Sequence, residues 1–591
     1  MLRLVVAAVL ALALLPAPAH ASDWSELARA MAAPWPAIQR PDGSLADYLD
    51  EVSDSYGGFP ETRYGNALMG YALLQTGLRE DDARIAAAGR RAVTFAIDPG
   101  RVWKRPSVFE QMAIAGAYNL TRGKPGFTRA RARWARWLRA VGTVRLQYQD
   151  RYGNHWLVDA VTALELRDSG LRSRRSRSIA GGGAAAAQRR AVELINVRIP
   201  RLFESGRPGV LSDPPDSPIA YHGLSLGLYA RAVQLLGRRA APAARRVLRE
   251  AVQSAALLTA PNGDSGYFGR SQGQAWSLPG IAYGAALAVR LGGLSSREAA
   301  RAHGVAQRAL ARLRTAYPIG PGGQSVTPAL ASDLRAGARG LDPYSGAPAM
   351  AGLTLALLNW TLALRPDETA PGVLPADRPL RAQLSQGAGR FAVVRRGATW
   401  FAVRMTRSVR GRQARDLRYD AGLALALTRA AGEWRELVPQ RPLNSRSGPR
   451  SAGPLLLDGG PANFHGERMR VRADGGVRVI GEFRRDGGRP PRPASITYRP
   501  LPCGVALAFR ARRGSNYRLS AFFSSLPQIS RTGAADGSQL VVASADRATL
   551  RLAPGTLASG EQAQLWRVDI GLHARSARRV GVRFTAVGCT R

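Results

Sequence analysis

"GRFAVVRRGATWFAVRMTRS", residues 389–408, alternates in side-chain character and is broken once at Arg396-Gly397, the pattern of two short strands joined by a tight turn. Downstream the same style continues in "RMRVRADGGVRVIGEF", "GVALAFRARRG", "YRLSAFFSSL", "QLVVASADRATLRLAPG" and "RRVGVRFTAVGC". Short strands at regular spacing with Gly-rich turns predict an antiparallel β-sandwich over 390–591. Upstream the period is different. From Asp23 to about Leu364, apolar residues recur three and four apart, as in 66–78, 108–120, 223–237, 276–292 and 349–364. These are single apolar helices of ordinary length, not heptads, which argues against a coiled coil. Repeated helix–loop–helix units over this span suit a toroid or solenoid of helix pairs. The Pro-, Asp- and Gly-rich stretch 365–389 reads as the linker. The expected fold class is therefore multidomain: an N-terminal (α/α) toroid over 22–364, then the sandwich.

The chain has 591 residues, more than one ordinary core needs and enough for two large domains. Its N-terminal end reads as an export signal: Arg3, an uninterrupted apolar run at 4–15, and the small-x-small pattern Ala19-His20-Ala21. That run is too short to span a bilayer, and no later segment is long enough. The expected mature chain begins near Ser22, in a secreted or cell-envelope setting; an uncleaved anchor is the alternative. In such an oxidising compartment the two cysteines, Cys503 and Cys589, are expected to form one disulfide. No Cys/His spacing resembles a zinc site, and no cofactor is expected. A structural divalent metal is compatible with the sequence, with His465 as a ligand candidate.

Lys and Arg number 84 against 42 Asp and Glu, a formal charge of +42. Only Lys104 and Lys124 are lysines, and an excess of Arg, Ala and Gly also follows from a GC-rich genome. A charge this large attracts acidic polymers whatever its origin. Nucleic acid fits poorly: an exported chain rarely meets it, and no binding motif is present. "GGQSVTP" and "GGGAAAAQ" lack the Lys and context of a phosphate-cradling loop. The sequence specifies no oligomeric state.

Four polar-aromatic clusters stand at helix starts in the first domain. "YGNHWLVDAVTALELRDSGL" (152–171) opens on Asn154, His155 and Trp156, with Arg151 just before. "DPPDSPIAYHGLSLG" places Tyr221 and His222 before an apolar helix, and "PNGDSGYFGRSQGQAWSL" gathers Asp264, Tyr267, Arg270, Gln272, Gln274 and Trp276. "LDPYSGAPA" offers Tyr344. In a toroid, connections on one face gather around a central cleft, so loops far apart in sequence can meet. Each residue also has a plain structural reading. Asn154 suits a helix N-cap, His155 stands four residues before Asp159 and can tie down a helix turn, and Tyr344 can belong to the core. His303, His465 and His573 are expected at the surface.

The helical front half, the sheet-rich back half and these clusters resemble the two-domain polysaccharide lyases, including the heparinase II/III-like and alginate-lyase-like enzymes. At residue level the likeness is confined to Asn154-His155, Tyr221-His222, the Tyr267/Arg270 segment and the hairpin at 390–405. The resemblance implies β-elimination on a uronate-containing acidic polysaccharide. The proton on C5 lies α to a carboxylate, so an amide or cation against that carboxylate stabilises the charge that develops as the proton leaves. Asn154, supported by Arg270 or His155, is the candidate for that role. The resemblance further implies Tyr221 or His222 as base and Tyr267 as acid. Trp156, Trp276, Gln272, Gln274, Arg151 and Tyr344 are candidates for holding sugar rings and acidic groups. The chain departs from the family's doubled Asn with Gly153-Asn154. Two other readings stand beside this one. A glycoside hydrolase needs paired carboxylates, for which Asp213, Asp216, Asp264 and Asp54 are available. A non-catalytic envelope protein would bind anionic glycan through its arginines alone.

Overall fold

Five of the apolar stretches read above, together with the helix opened by Asn154, form one ring. In the computed structural model, the described residues are 22–45, 61–98, 107–141, 153–171, 184–203, 209–211, 219–267, 273–320, 323–324, 347–386, 389–406, 422–437, 457–458, 462–484, 492–523, 525–553, 566–576 and 579–588. Twelve long helices are described in the first domain: α1 (Ser22–Ala32), α2 (Glu61–Arg79), α3 (Ala83–Ala96), α4 (Val108–Leu120), α5 (Thr128–Val141), α6 (Asn154–Ser169), α7 (Ala184–Glu193), α8 (Ile219–Leu236), α9 (Pro242–Leu258), α10 (Ser277–Leu291), α11 (Ser296–Ala316) and α12 (Ala347–Ala363). Six of them close a ring, α2–α4–α6–α8–α10–α12 and back to α2, and the others pack outside it.

The two sets of helices differ for a physical reason. A ring helix is covered by neighbours on both sides and by an outer helix behind, so it must be apolar nearly all round. In α8, residues 219–230 are all buried. An outer helix hides only one stripe, and α5 ("TRARARWARWLRAV") buries Ala130, Trp134, Ala135 and Leu138 while exposing arginines. Local signals fix several helix starts. Ser107 and Glu110 form a capping box on α4, Ser295 and Glu298 form one on α11, and Asp82 accepts from the Ile85 N–H at 2.9 Å.

Strict alternation of inner and outer helices makes the ring helices parallel, so their N-terminal ends share one rim. Three contacts confirm it. Phe109 and His155, each second in its helix, meet edge to face at 5.8 Å. A Cβ on Gly65 would lie 3.1 Å from the Ala349 nitrogen, and one on Gly223 would lie 2.4 Å from the Ser277 carbonyl oxygen. The α8–α10 approach needs glycine on both sides, since a Cβ on Gly280 would likewise meet the Gly223 carbonyl oxygen at 2.4 Å.

The second domain opens with a five-stranded antiparallel meander: β1 (Leu380–Gln386), β2 (Gly389–Arg396), β3 (Thr399–Thr406), β4 (Gly422–Ala430) and β5 (Glu433–Leu437). Strand β1 corrects the linker reading of 365–389. Leu380, Ala382 and Leu384 alternate with polar residues and pack on the toroid, a pattern hidden by the Pro and Asp content just before it. The hairpin at 389–406 does decide the architecture, because both of its faces contribute buried residues. Phe391, Val393, Trp400 and Ala402 join the toroid core, whereas Ala392, Val394, Phe401 and Val403 join a second core. A register shift opposite Ala402/Val403 turns both Ala424 and Leu425 of β4 toward the toroid. The second core is shared with a twelve-stranded sheet running from Leu457–Asp458 to Arg579–Ala586. The layers are thus helices, small sheet, large sheet. Cys503, in the turn between two of its strands, is disulfide-bonded. The chain's other cysteine, Cys589, lies outside the described residues.

Candidate active site

The N-terminal rim of the ring is where the sequence clusters were expected to meet, and it brings only some of them together. Asn154 is the first residue of α6. Gly153, not Asn154, is the N-cap, with extended backbone and no side-chain cap bond. The capping reading of Asn154 is therefore corrected, and its side chain is buried at 5% exposure. His155 is exposed and rests against Phe109. It does not pair with Asp159, whose carboxyl is buried, is pushed up to about 9 by desolvation alone, and leaves Oδ1 without a partner. Trp156 is buried, with the Arg198 guanidinium 5.3 Å from its ring centre.

On the neighbouring ring helices, the glycine crossing of α8 and α10 sets Tyr221 against Trp276, ring centroids 5.1 Å apart at 62°. Both are buried. Beside them Gln274 is buried with neither amide atom bonded, and Trp276 Nε1 and Ser277 Oγ are likewise without protein partners among the described residues.

His222 is a correction. Its Nδ1 accepts the Leu211 N–H at 2.9 Å, and its Nε2–H donates to the Ala251 carbonyl oxygen at 3.0 Å, fixing the neutral tautomer. Burial pushes the imidazole down to about 4. A ring with both nitrogens committed to backbone on the outer side of α8 has no lone pair for a substrate proton. Tyr267 is the second correction. Asp264 holds the preceding turn by accepting the Gly266 N–H at 2.9 Å, and the Tyr267 hydroxyl then donates to the Leu258 carbonyl oxygen at 2.7 Å. Its ring stands edge-on to Trp400 of β3 at 5.7 Å, and burial, with Asp264 nearby, raises its phenol well above the ordinary range. Tyr267 is a wedge between domains, not an acid at the rim.

Arg151, Arg270, Gln272 and Tyr344 lie outside the described residues, as do Asp54, Asp213 and Asp216. Of the hydrolase carboxylates only Asp264 is described, and it is used by its turn. No group of three metal-binding side chains occurs among the described residues, and none of their helices is long and apolar enough to cross a membrane.

A second set of residues, of which the sequence reading named only Asp159 and only as a partner for His155, also lies near this rim. Gln111 Oε1, Asp159 Oδ1, Ser225 Oγ and Ser277 Oγ are buried without partners, and all belong to the first seven residues of ring helices. The available signal was a polar residue inside an apolar helix, as in "FEQMAIAG" and "GLSLG". Six parallel helix ends also point their positive dipoles at this rim, which favours an anion there.

The architecture is that of the two-domain polysaccharide lyases, a helical toroid followed by antiparallel β-sheets. The chain is similar to the Streptomyces coelicolor A3 chondroitin AC lyase solved with chondroitin sulphate (13% identity, TM-score 0.52, covering 98% of this chain and 81% of that one). It is also similar to heparinase III (12% identity, TM-score 0.55, covering 96% and 85%). No protein-family model and no curated protein matches the sequence.

Proposed function

We propose that this chain is an exported polysaccharide lyase that cleaves an acidic, uronate-containing polysaccharide by β-elimination at the N-terminal rim of the toroid. One observation carries the reading: Asn154 and Tyr221 begin ring helices on the same rim, at converging positive helix ends, within a lyase-type fold. Asn154 presents its amide to the substrate carboxylate as negative charge spreads onto it. Tyr221 is left as the base, because His222 and Tyr267 are committed elsewhere. The C5–H bond breaks, its electron pair forms the C4–C5 double bond, and the C4–O bond breaks as the departing oxygen takes a proton. His155 is the candidate to supply that proton, and Arg270 or His155 to support Asn154. Export rests on Arg3, the apolar run at 4–15 and Ala19-His20-Ala21.

The test is digestion of alginate, heparin, chondroitin, hyaluronan and polygalacturonate by the mature protein, followed by the ultraviolet absorbance of the new double bond. Absorbance with one of them supports the proposal. New reducing ends without absorbance would mean hydrolysis. Silence with all five favours the second reading, a glycan-binding protein without catalysis, for which the turned-away His222 and Tyr267 already speak.

A further inference from the structure

A hollow of about 550 Å³ opens on the outer wall of the toroid, between outer helices α3 and α5 and apart from the rim cluster. Its lining includes Arg90 and Arg91 of α3, Arg129 and Arg133 of α5, and the carboxylates Asp42 and Asp98. The four guanidinium groups fall into two kinds. Arg90 and Arg91 are held in place: Arg90 Nη1 donates to the Gly126 carbonyl oxygen at 2.8 Å, and Arg91 donates through Nε and Nη2 to Gln39 Oε1 at 2.9 and 2.5 Å. Arg129 and Arg133, one helical turn apart on an exposed face, make no side-chain hydrogen bond or ion pair among the described residues. Asp42 is turned onto Ser44, accepting its N–H at 2.9 Å and its hydroxyl at 2.7 Å.

A concave wall with fixed guanidiniums on one side and unengaged ones on the other suits a ligand carrying several anionic groups along its length. Planar forked donors match sulfate and carboxylate oxygens in pairs. The volume is in the range of a ligand-sized site, larger than a single anion needs. We infer that this groove is a second docking site for an anionic oligosaccharide, outside the cleft. Only the identity of the polymer rests on the lyase reading; the preference for anions rests on the arginines.

Calorimetry tests it with two probes, a sulfated heparin hexasaccharide and a carboxylate-only galacturonate hexamer, each titrated into the full mature protein. R129Q/R133Q is compared with R238Q/R239Q, an exposed pair elsewhere that removes the same charge. Both are repeated with N154A, which removes the amide proposed to face the substrate carboxylate, so that turnover does not contribute heat. The expected result is that R129Q/R133Q weakens binding roughly tenfold in either background, while R238Q/R239Q changes it by less than about twofold. Binding of the sulfated probe alone assigns the groove to sulfates; binding of both assigns it to carboxylates as well. Equal losses from the two arginine pairs, or no loss, or no binding of either probe, overturns the inference. Binding that depends on Arg129 and Arg133 in a protein that cleaves nothing would keep the groove and reject the lyase.

Discussion

Two groups of buried polar side chains in the helical ring, one deep and one at the N-terminal rim, are satisfied to different degrees. Deep in the ring, each of the six helices contributes to one network. Glu165 accepts from Arg231 (2.5 Å to Nη2) and from Asn119 (2.7 Å), Gln234 accepts from Arg231 (2.7 Å) and Tyr283 (2.6 Å), and Trp360 donates to Tyr71 (3.0 Å). The Arg231 guanidinium also lies 5.2 Å from the Trp360 ring centre. Burial opposes the charge on Arg231, yet Glu165, Tyr283 and Tyr71 carry it above the ordinary arginine range. Apart from Asn119 Oδ1, the network leaves no buried side-chain atom unbonded among its members. At the rim, by contrast, Gln111, Asp159, Ser225, Gln274 and Ser277 keep buried polar atoms without protein partners. A buried polar atom without a partner costs about 1–3 kcal/mol. The network therefore adds stability where it is paired, whereas the rim cluster gives stability up, as binding sites do.

The largest effect separating the two groups should come from breaking the paired one. Arg231→Met strands the Glu165 carboxylate and should destabilise the helical domain by about 3–5 kcal/mol. Arg231→Met with Glu165→Gln should recover much of that, and denaturant midpoints of the two variants measure the difference. A single variant no less stable than the double would refute the claim that the network holds the ring. Next comes the rim. Asn154→Ala should leave the unfolding midpoint within about 1 kcal/mol of the parent while lowering kcat on the cleaved polysaccharide by roughly 10²–10³-fold. A loss confined to KM, or a matching loss of stability, would place Asn154 on the structural side of the comparison.

That division was only half legible in the sequence. Ring helices are buried on all sides, so their apolar stretches stood out, and "NHWLVDAVTALELRDS" was read as a helix with a polar opening. Outer helices such as α5 show the outside world a row of arginines, so their apolar stripe was diluted below recognition. The rim could be located because helix starts collect polar residues. Which of those residues face the cleft could not be, since orientation about a helix axis depends on neighbours distant in sequence. Tyr221 and His222 are adjacent, yet one packs on Trp276 of the ring and the other bonds Ala251 of α9 on the outer wall. Likewise nothing near Tyr267 announces Trp400, which lies over a hundred residues on in another domain.

Two buried titrating groups sharpen the contrast through opposite pH dependence. His222 titrates near 6.5 when unfolded and at about 4 when folded. As pH falls through that window the unfolded chain binds the proton first, so the His222 contribution taken alone falls by about 3 kcal/mol between neutral pH and pH about 4. Asp159 runs the other way. Its folded value of about 9 lies far above the unfolded 3.8, so the folded chain holds the proton and stability falls as pH rises across that interval. Denaturant midpoints across the pH range measure both slopes. His222→Gln, which can still accept from Leu211 and donate to Ala251, should leave stability rising as pH falls from about 6.5 to about 4, because Asp159 then acts there unopposed. Asp159→Asn should remove the fall in stability between about pH 7 and 9, raise stability at pH about 8, and uncover the His222 loss below pH about 6.5. An Asp159→Asn protein with the parent's alkaline slope would mean that the carboxyl ionises in place with a partner at the rim. The contrast between a paired group and an unpaired one would then have to be redrawn.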